Sequence, residues 1–98
     1  MSNPKAKLNA IRCRINEIDE QLIALMAERT QFAGEIARLK MALDMPINDE
    51  KREREIQEKT RKLCEKYNNF NPDLALKILK LLMDYNKEIQ MKELKNKQ

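Results

Sequence analysis

The residues best suited to chemistry in this chain are charged and amide side chains that interrupt apolar patterns. In chain order they are Arg12, Arg29, Lys40, Asp49, Arg52, Glu53, Asn86 and Gln90. There is no histidine, and Cys13 and Cys64 are the two cysteines. Two soft ligands cannot complete a zinc or iron–sulfur shell, and catalytic triads or dyads that use histidine are excluded. We therefore expect no metal and no cofactor, and a site that acts through charge and shape.

Arg29 is the one charged residue in a seam whose members recur every three or four positions. The seam consists of Leu8, Ile11, Ile15, Ile18, Leu22, Leu25, Arg29, Phe32, Ile36, Leu39 and Leu43. Burying an unpaired guanidinium is costly, so Arg29 requires an anion. That anion is either a glutamate of a neighbouring helix or a bound ligand.

The position of Lys40 favours a bound ligand, rather than a glutamate, as the anion that pairs with Arg29. A helix turns about 100° per residue, which places Lys40 about 20° from Arg29 around the axis and ~16 Å along it. Two long side chains on one side can converge on a molecule between them. Arg12 lies about 100° away from Arg29, so it points to solvent or to another subunit.

Two further polar groups stand at helical spacing. Asp49, Arg52 and Glu53 share one helix face, either as ordinary charge pairs or as part of a site. Asn86 and Gln90 are two amides one turn apart among apolar residues, and they need hydrogen-bond partners if buried. They either form a polar pair that specifies how the helices of the bundle associate, or they bind a ligand. Taken together, the polar residues predict a cationic pocket for a small, multiply charged anion.

Three helices must position these groups. The first, which contains the seam, runs from about residue 6 or 8 to 43 and ends before Pro46. The second runs from about 49 to 68 with Asn48 or Asp49 as N-cap. The third runs from about 72 to 94 with Asn71 as N-cap, and residues 95–98 are expected to fray. The sequence predicts an all-α fold with no strand and no internal repeat.

Apolar periodicity predicts the inward faces of the second and third helices. The second presents Arg52 or Glu53, Ile56, Thr60, Leu63, Cys64 and Tyr67, and the third presents Leu74, Ile78, Leu81, Leu82, Tyr85 and Ile89. Residues 8–43 span about 54 Å as a helix, whereas a compact domain of this size has a radius of gyration of ~13 Å. The rest of the chain cannot cover such a helix, so we expect a partner chain.

Composition limits the class of protein. The 98 residues suit one domain, with 37% charged, 42% hydrophobic and 4% aromatic residues and a net charge of +4. No segment resembles a membrane helix, and the polar N-terminus predicts no signal peptide. We expect a cytoplasmic protein without membrane partners, in which a disulfide is disfavoured.

Several ordered motifs resemble the all-helical (AroQ-type) chorismate mutase family, as a monofunctional member, from about Leu8 to Leu94. They are Ile11-Arg12-x-x-Ile15, Ile18-Asp19-x-x-Leu22-Ile23-x-Leu25-x-Ala27-Glu28-Arg29, Lys40, Pro46-Ile47-x-Asp49-x-x-Arg52-Glu53, and Asn86-x-x-x-Gln90. The resemblance implies an intertwined homodimer with a long first helix. It also implies rearrangement of chorismate to prephenate in phenylalanine and tyrosine biosynthesis.

The resemblance assigns roles by position. Arg12 of the other subunit, Arg29, Arg52 and Asn86 would bind the substrate carboxylates. Asp49 and Glu53 would contact the substrate hydroxyl, and Lys40 and Gln90 would address the ether oxygen. Asparagine stands at position 86 where some members have serine, and either side chain can donate a hydrogen bond.

Two other functions fit parts of the pattern. Isochorismate pyruvate lyase has the same fold and a similar cationic site, but its members have an apolar residue where Glu53 stands. A non-enzymatic helical dimer could bind nucleic acid or protein through its basic residues. Acidic residues are mixed among those basic ones, and four aromatics offer few stacking surfaces for bases, so we expect no nucleic-acid partner.

Overall fold

The computed structural model describes residues 3–97, and their fold is all-α. Four helical segments follow one another: α1 (Pro4–Gln31), α2 (Ala33–Ala42), α3 (Glu50–Cys64) and α4 (Pro72–Lys97). No strand occurs within residues 3–97, and none of their helices has the length and hydropathy needed to cross a membrane. The chain divides after Gln31 into two units, which are described separately.

The first unit is α1, and none of its residues is buried. The seam side chains on it are exposed, with Leu8 at 46% and Leu22 at 52%. The sequence predicted one uninterrupted helix to residue 43, but the structure assigns a break at Phe32. Phe32 keeps right-handed backbone angles, with φ −78° and ψ −13°, and its carbonyl accepts from the Ile36 amide at 2.9 Å. The backbone at Phe32 therefore keeps helical geometry although the helix assignment is interrupted there.

The second unit begins with α2, which ends in a left-handed cap. Asp44 has φ 55°. Its amide donates to the Met41 carbonyl at 3.1 Å, and the Met45 amide donates to the Lys40 carbonyl at 2.8 Å. These two bonds form a Schellman motif. The last residue of α2, Ala42, thus lies four positions before Pro46, which the sequence had indicated as the terminator.

Side-chain caps start α3 and α4. Asp49 accepts from the Arg52 amide at 3.1 Å, and Asn71 accepts from the Asp73 amide at 2.9 Å. Pro72 takes the first helical position of α4, where its missing amide hydrogen costs nothing. The helix starts therefore agree with the caps proposed from sequence.

The helix ends differ from the predicted ones. α3 stops at Cys64, about one turn before Asn68, because the amides of Lys66 and Tyr67 bond three residues back in turns and Asn69 adopts a positive φ of 58°. α4 continues to Lys97, so the predicted fraying from residue 95 is wrong up to there. Gln98, like Met1 and Ser2, lies outside the described residues.

Helices α2 and α3 both pack on α4. Ala33 and Ala37 are almost fully buried, since small side chains on α2 permit a close approach. Arg38 bridges α2 to Glu93 on α4 at 2.8 Å. No large side chain within residues 3–97 is fully buried. The single chain therefore has a small core.

Only part of the α4 surface predicted to face inward is buried within the chain. The buried residues of α4 are Met83, Asn86 and Gln90, while the expected core residues Leu74, Ile78, Leu81 and Tyr85 are exposed. On α3, Thr60 and Cys64 are buried as predicted and Glu53 is half-buried, but Leu63 and Arg52 are exposed, as is Tyr67 in the turn that follows. Apolar periodicity identified a stripe, but polar residues occupy much of the face that packs within the chain.

Candidate functional site

Lys40 lies in the last turn of α2, and both its backbone and its ammonium are held. Its carbonyl accepts from Met45 in the helix cap. Its Nζ donates to the Ile47 carbonyl at 2.7 Å and to Gln90 Oε1 at 3.0 Å. Both acceptors are neutral, and within residues 3–97 no carboxylate forms an ion pair with Lys40. The half-buried positive charge therefore remains uncompensated.

The two amides of α4 are buried side by side on one face. Asn86 is 8% exposed and Gln90 is 6% exposed. The Gln90 oxygen accepts from Lys40, so its NH₂ group faces away from the ammonium and can donate elsewhere. Within the described part of the chain, Asn86 Oδ1 is buried without a hydrogen-bond partner. Buried polar atoms of this kind are rare and mark sites that bind or react.

The first turn of α3 supplies Asp49, Arg52 and Glu53. Asp49 is committed to capping the helix through the Arg52 amide. The Arg52 side chain is 64% exposed and pairs with Glu55 at 3.7 Å. An exposed pair of this type contributes about 0–1 kcal/mol, so Arg52 is held only weakly in its present position.

Glu53 faces α4, where Lys87 binds it. The Glu53 Oε1–Lys87 Nζ distance is 3.0 Å, and the two side chains are 20% and 27% exposed. Lys87 also donates to Asn48 Oδ1 at 3.4 Å and lies 3.6 Å from Asp84 Oδ1. The hydrogen bond to Glu53 raises the pKa of Lys87 above its ordinary value, against a lowering by partial burial, and the charges of Glu53 and Asp84 raise it further.

Lys87 was missed by sequence reasoning. It stands beside Asn86 in the sequence, as one of many lysines on polar helix faces. Its contact with Glu53 depends on the register between α3 and α4, which no local pattern specifies. A basic residue within one turn of two buried amides was the signal available.

The two arginines of the first helix belong to the other unit. Arg12 is exposed and Arg29 is half-buried. The angular argument that grouped Arg29 with Lys40 assumed an uninterrupted helix, and the assigned break at Phe32 lies between them. Their place in a site with Lys40 stays a prediction.

Two cavities of the second unit lie away from these groups. One of about 710 Å³ is formed by the α3–α4 turn and is lined by residues that include Cys64, Tyr67 and Phe70. Another of about 550 Å³ lies between α3 and α4 near Gln57 and Leu81. Neither includes Lys40, Glu53, Asn86 or Gln90, so we define the candidate site by its polar contacts. Within residues 3–97, no group of three Cys, Asp or Glu side chains is arranged to hold a metal ion.

The arrangement suits binding of an anion and stabilisation of developing negative charge. A half-buried ammonium, with one N–H not used by the described residues, and the buried Gln90 amide donor lie along the contact between α2 and α4. A fixed carboxylate lies on α3. Donors held in place in this way can stabilise an oxyanion without reorganising.

Comparison with known proteins assigns most of the chain to one protein family. Residues 11–91 match the family described as chorismate mutase type II. The chain is 39% identical over 92 residues to the chorismate mutase of Methanocaldococcus jannaschii, covering 94% of this chain and 92% of that protein.

The chain also matches a short part of longer, bifunctional proteins. The bifunctional chorismate mutase/prephenate dehydratase of Aquifex aeolicus is 38% identical over 71 residues, which is 71% of this chain and 20% of that protein. The Escherichia coli K12 protein of the same description is 40% identical over 52 residues, or 53% of this chain and 14% of that protein.

Proposed function

This chain belongs to the type II chorismate mutase family, and we propose that it converts chorismate to prephenate by an intramolecular Claisen rearrangement. The all-α fold and the match over nearly the full length support an isomerase of this class. The single observation that carries the assignment of the site is the hydrogen bond between Lys40 Nζ and Gln90 Oε1 at 3.0 Å.

The Lys40–Gln90 pair matches the electronic demand of the reaction. The carbon–oxygen bond breaks ahead of carbon–carbon bond formation, so negative charge develops on the ether oxygen. Lys40 has three N–H donors, and Ile47 and Gln90 accept two of them. We assign the third N–H, together with the Gln90 NH₂ group, to the ether oxygen. Donors that bind the transition state more strongly than the substrate lower the barrier, by tenfold in rate per ~1.4 kcal/mol.

The remaining site residues hold the substrate in its reactive shape. We assign the substrate carboxylates to Arg29, Arg52, Asn86 and the partner subunit's Arg12. The substrate hydroxyl is assigned to Glu53 and Asp49. Fixing both carboxylates restricts the extended substrate to the folded conformer that reacts. No base, metal or covalent intermediate is needed in a concerted shift.

Arg52 must turn to take part. Its guanidinium lies 3.7 Å from Glu55 and is mostly exposed. Because breaking such a pair costs at most about 1 kcal/mol, a substrate carboxylate can draw it away. The Asp49 cap fixes the Arg52 backbone, so only the side chain has to move.

A homodimer is part of the proposal. The apolar seam of α1 is exposed along its length, and the buried residues of the second unit include three polar ones, Thr60, Asn86 and Gln90. Fully burying one leucine or isoleucine contributes about 1.5–3 kcal/mol, so pairing two seams would supply much of the stability that the single chain lacks. A cytoplasmic location, predicted from the sequence, also stays part of the proposal.

The direct test is loss of chorismate absorbance with formation of prephenate. Lys40→Ala should reduce kcat/KM by about 10²–10³-fold, as expected for loss of a donor to developing negative charge. The matched control is Lys77→Ala, an exposed lysine of α4, which should leave turnover unchanged. Both variants should retain helical circular dichroism. Unchanged turnover in Lys40→Ala would contradict the assigned site.

The same assay separates the lyase. Prephenate without pyruvate from chorismate supports the mutase. Release of pyruvate from isochorismate, with no turnover of chorismate, would show that the protein is a lyase and contradict the proposed mutase function.

A further inference from the structure

A cluster around Lys87 joins the start of α3 to the middle of α4. Lys87 Nζ lies 3.0 Å from Glu53 Oε1 and 3.4 Å from Asn48 Oδ1. Asp84 Oδ1, one turn earlier on α4, is 3.6 Å away. Asp84 also accepts from the exposed Lys80 at 3.0 Å. Lys87 is therefore the member of the cluster that connects different helices.

The cluster continues to the Lys40 pair through the loop between α2 and α3. Lys40 binds the carbonyl of Ile47 at 2.7 Å, and Lys87 binds the side chain of Asn48, the next residue. The two ammonium groups thus hold successive residues of one loop. Asp49, which follows, caps α3, and Glu53 lies one turn further on. Displacement of Lys87 would remove the contacts to Asn48 and Glu53, while Lys40 would still bind Ile47.

The two ammonium groups differ in what surrounds them. Lys40 has two neutral protein acceptors and no carboxylate partner within the described residues. Lys87 has three protein oxygens around it, two of them from carboxylates. An ammonium has three N–H donors, so Lys40 retains one for a ligand, whereas each donor of Lys87 has a protein oxygen within reach. The charge of Lys87 is also compensated.

We infer that Lys87 is a positioning residue for the rearrangement, which holds the Glu53 carboxylate and the start of α3 where the substrate hydroxyl binds. This inference rests on the proposed function. Among residues 3–97, Lys87 supplies the hydrogen bond that the Glu53 carboxylate receives. Without it, Glu53 becomes a partly buried carboxylate that can rotate and that repels an anionic substrate.

The expected kinetic effect is on binding. The hydroxyl of chorismate takes no part in the bonds that break or form, so its contact with Glu53 is similar in the substrate and in the transition state. Loss of such an interaction raises KM and leaves kcat little changed. We expect Lys87→Met to raise KM about tenfold and to change kcat by less than about threefold. Lys87→Arg, which can still reach Glu53, should stay within about threefold of the wild-type KM.

A double-mutant cycle distinguishes positioning from a merely structural contact. Lys87→Met is measured alone and in a Glu53→Ala background. If Lys87 acts through Glu53, its replacement in that background should change KM by less than about twofold. Lys80→Met is the matched control, because Lys80 binds the same Asp84 but is exposed and forms no hydrogen bond or ion pair with another helix among the described residues. It should not change KM.

Each outcome decides a separate question. An inactive wild-type protein overturns the proposed function and this inference with it. An active wild-type protein with unchanged KM in Lys87→Met, or an equal rise in KM in both backgrounds, overturns the inference alone. Should Lys87→Met lose its helical circular dichroism, Lys87→Ala is read by the same criteria, since it also removes the donor to Glu53.

Discussion

The two units of this chain bury their residues in different ways. No side chain of α1 is buried, although its seam has the most regular apolar pattern in the sequence. Residues 32–97 bury a small set that includes three polar residues and no fully buried large side chain. The most regular apolar pattern therefore lies on a helix without buried residues, while two amides fill part of the core of the second unit. This difference suggests that a second chain supplies stability and that the second unit supplies chemistry.

The strongest test of that contrast is a charge in the exposed seam. Leu22→Lys should raise the dissociation constant of the dimer by about 10³-fold, because two leucines at about 2 kcal/mol each are lost. Activity and helical content should fall together at low protein concentration. Sedimentation measures the association state.

The control for the seam lies on the opposite face of the same helix. Ala24 is exposed and stands between Glu20 and Glu28 at i±4 spacing, so Ala24→Lys should be tolerated. A Leu22→Lys protein that remains dimeric and active would show that the seam is not the interface.

A second test asks whether the two units of different chains form one site. Arg12→Ala and Lys40→Ala are each expected to be inactive. After subunit exchange, half of the dimers pair the two variants, and each of these contains one intact site. Activity should return to about a quarter of the wild-type value. Failure to recover, with exchange verified by mass spectrometry, would exclude donation of Arg12 across the interface.

The smallest expected effect concerns the second unit alone. Gly34 lies near the start of α2, and an added Cβ would meet Arg38 and Glu93 side-chain atoms at 3.6 and 3.8 Å, which is ordinary contact. Gly34→Ala should therefore stabilise the protein by about 0.5–1 kcal/mol through helix propensity. Thermal unfolding should shift upward by a few degrees without loss of activity. A lower melting temperature would mean that α2 and α4 approach more closely there than the structure indicates.

Local signals predicted the helix starts well and the ends poorly. Asp49 and Asn71 cap their helices through side-chain oxygens, an interaction within three residues that sequence can specify. The end of α2 depends on a left-handed Asp44, and that of α3 on turns before Asn69. Asp and Asn adopt such angles more readily than other non-glycine residues, but most of them in a protein do not. The sequence does not reveal in advance which of them do.

The candidate site shows the same division. The spacing of Asn86 and Gln90 predicted two inward amides, and both are buried. The family resemblance assigned Lys40 and Gln90 to the same substrate oxygen, and the structure brings the two side chains within 3.0 Å of each other. Arg52, by contrast, is exposed beside Glu55, and Lys87 was not anticipated. Long flexible side chains can reach several partners, so their pairing depends on neighbours rather than on spacing.

By itself, the sequence determined the all-α class, the caps, the seam and the family, because these depend on residue type and on short-range periodicity. Tertiary structure decided which face of α4 is buried and how the charged groups pair. It left Leu81 exposed while burying Gln90. It paired Glu53 with Lys87 and left Lys40 without an ion pair among residues 3–97. The physical reason is that burial and ion pairing depend on the register between helices far apart in the chain, which periodicity within one helix cannot specify.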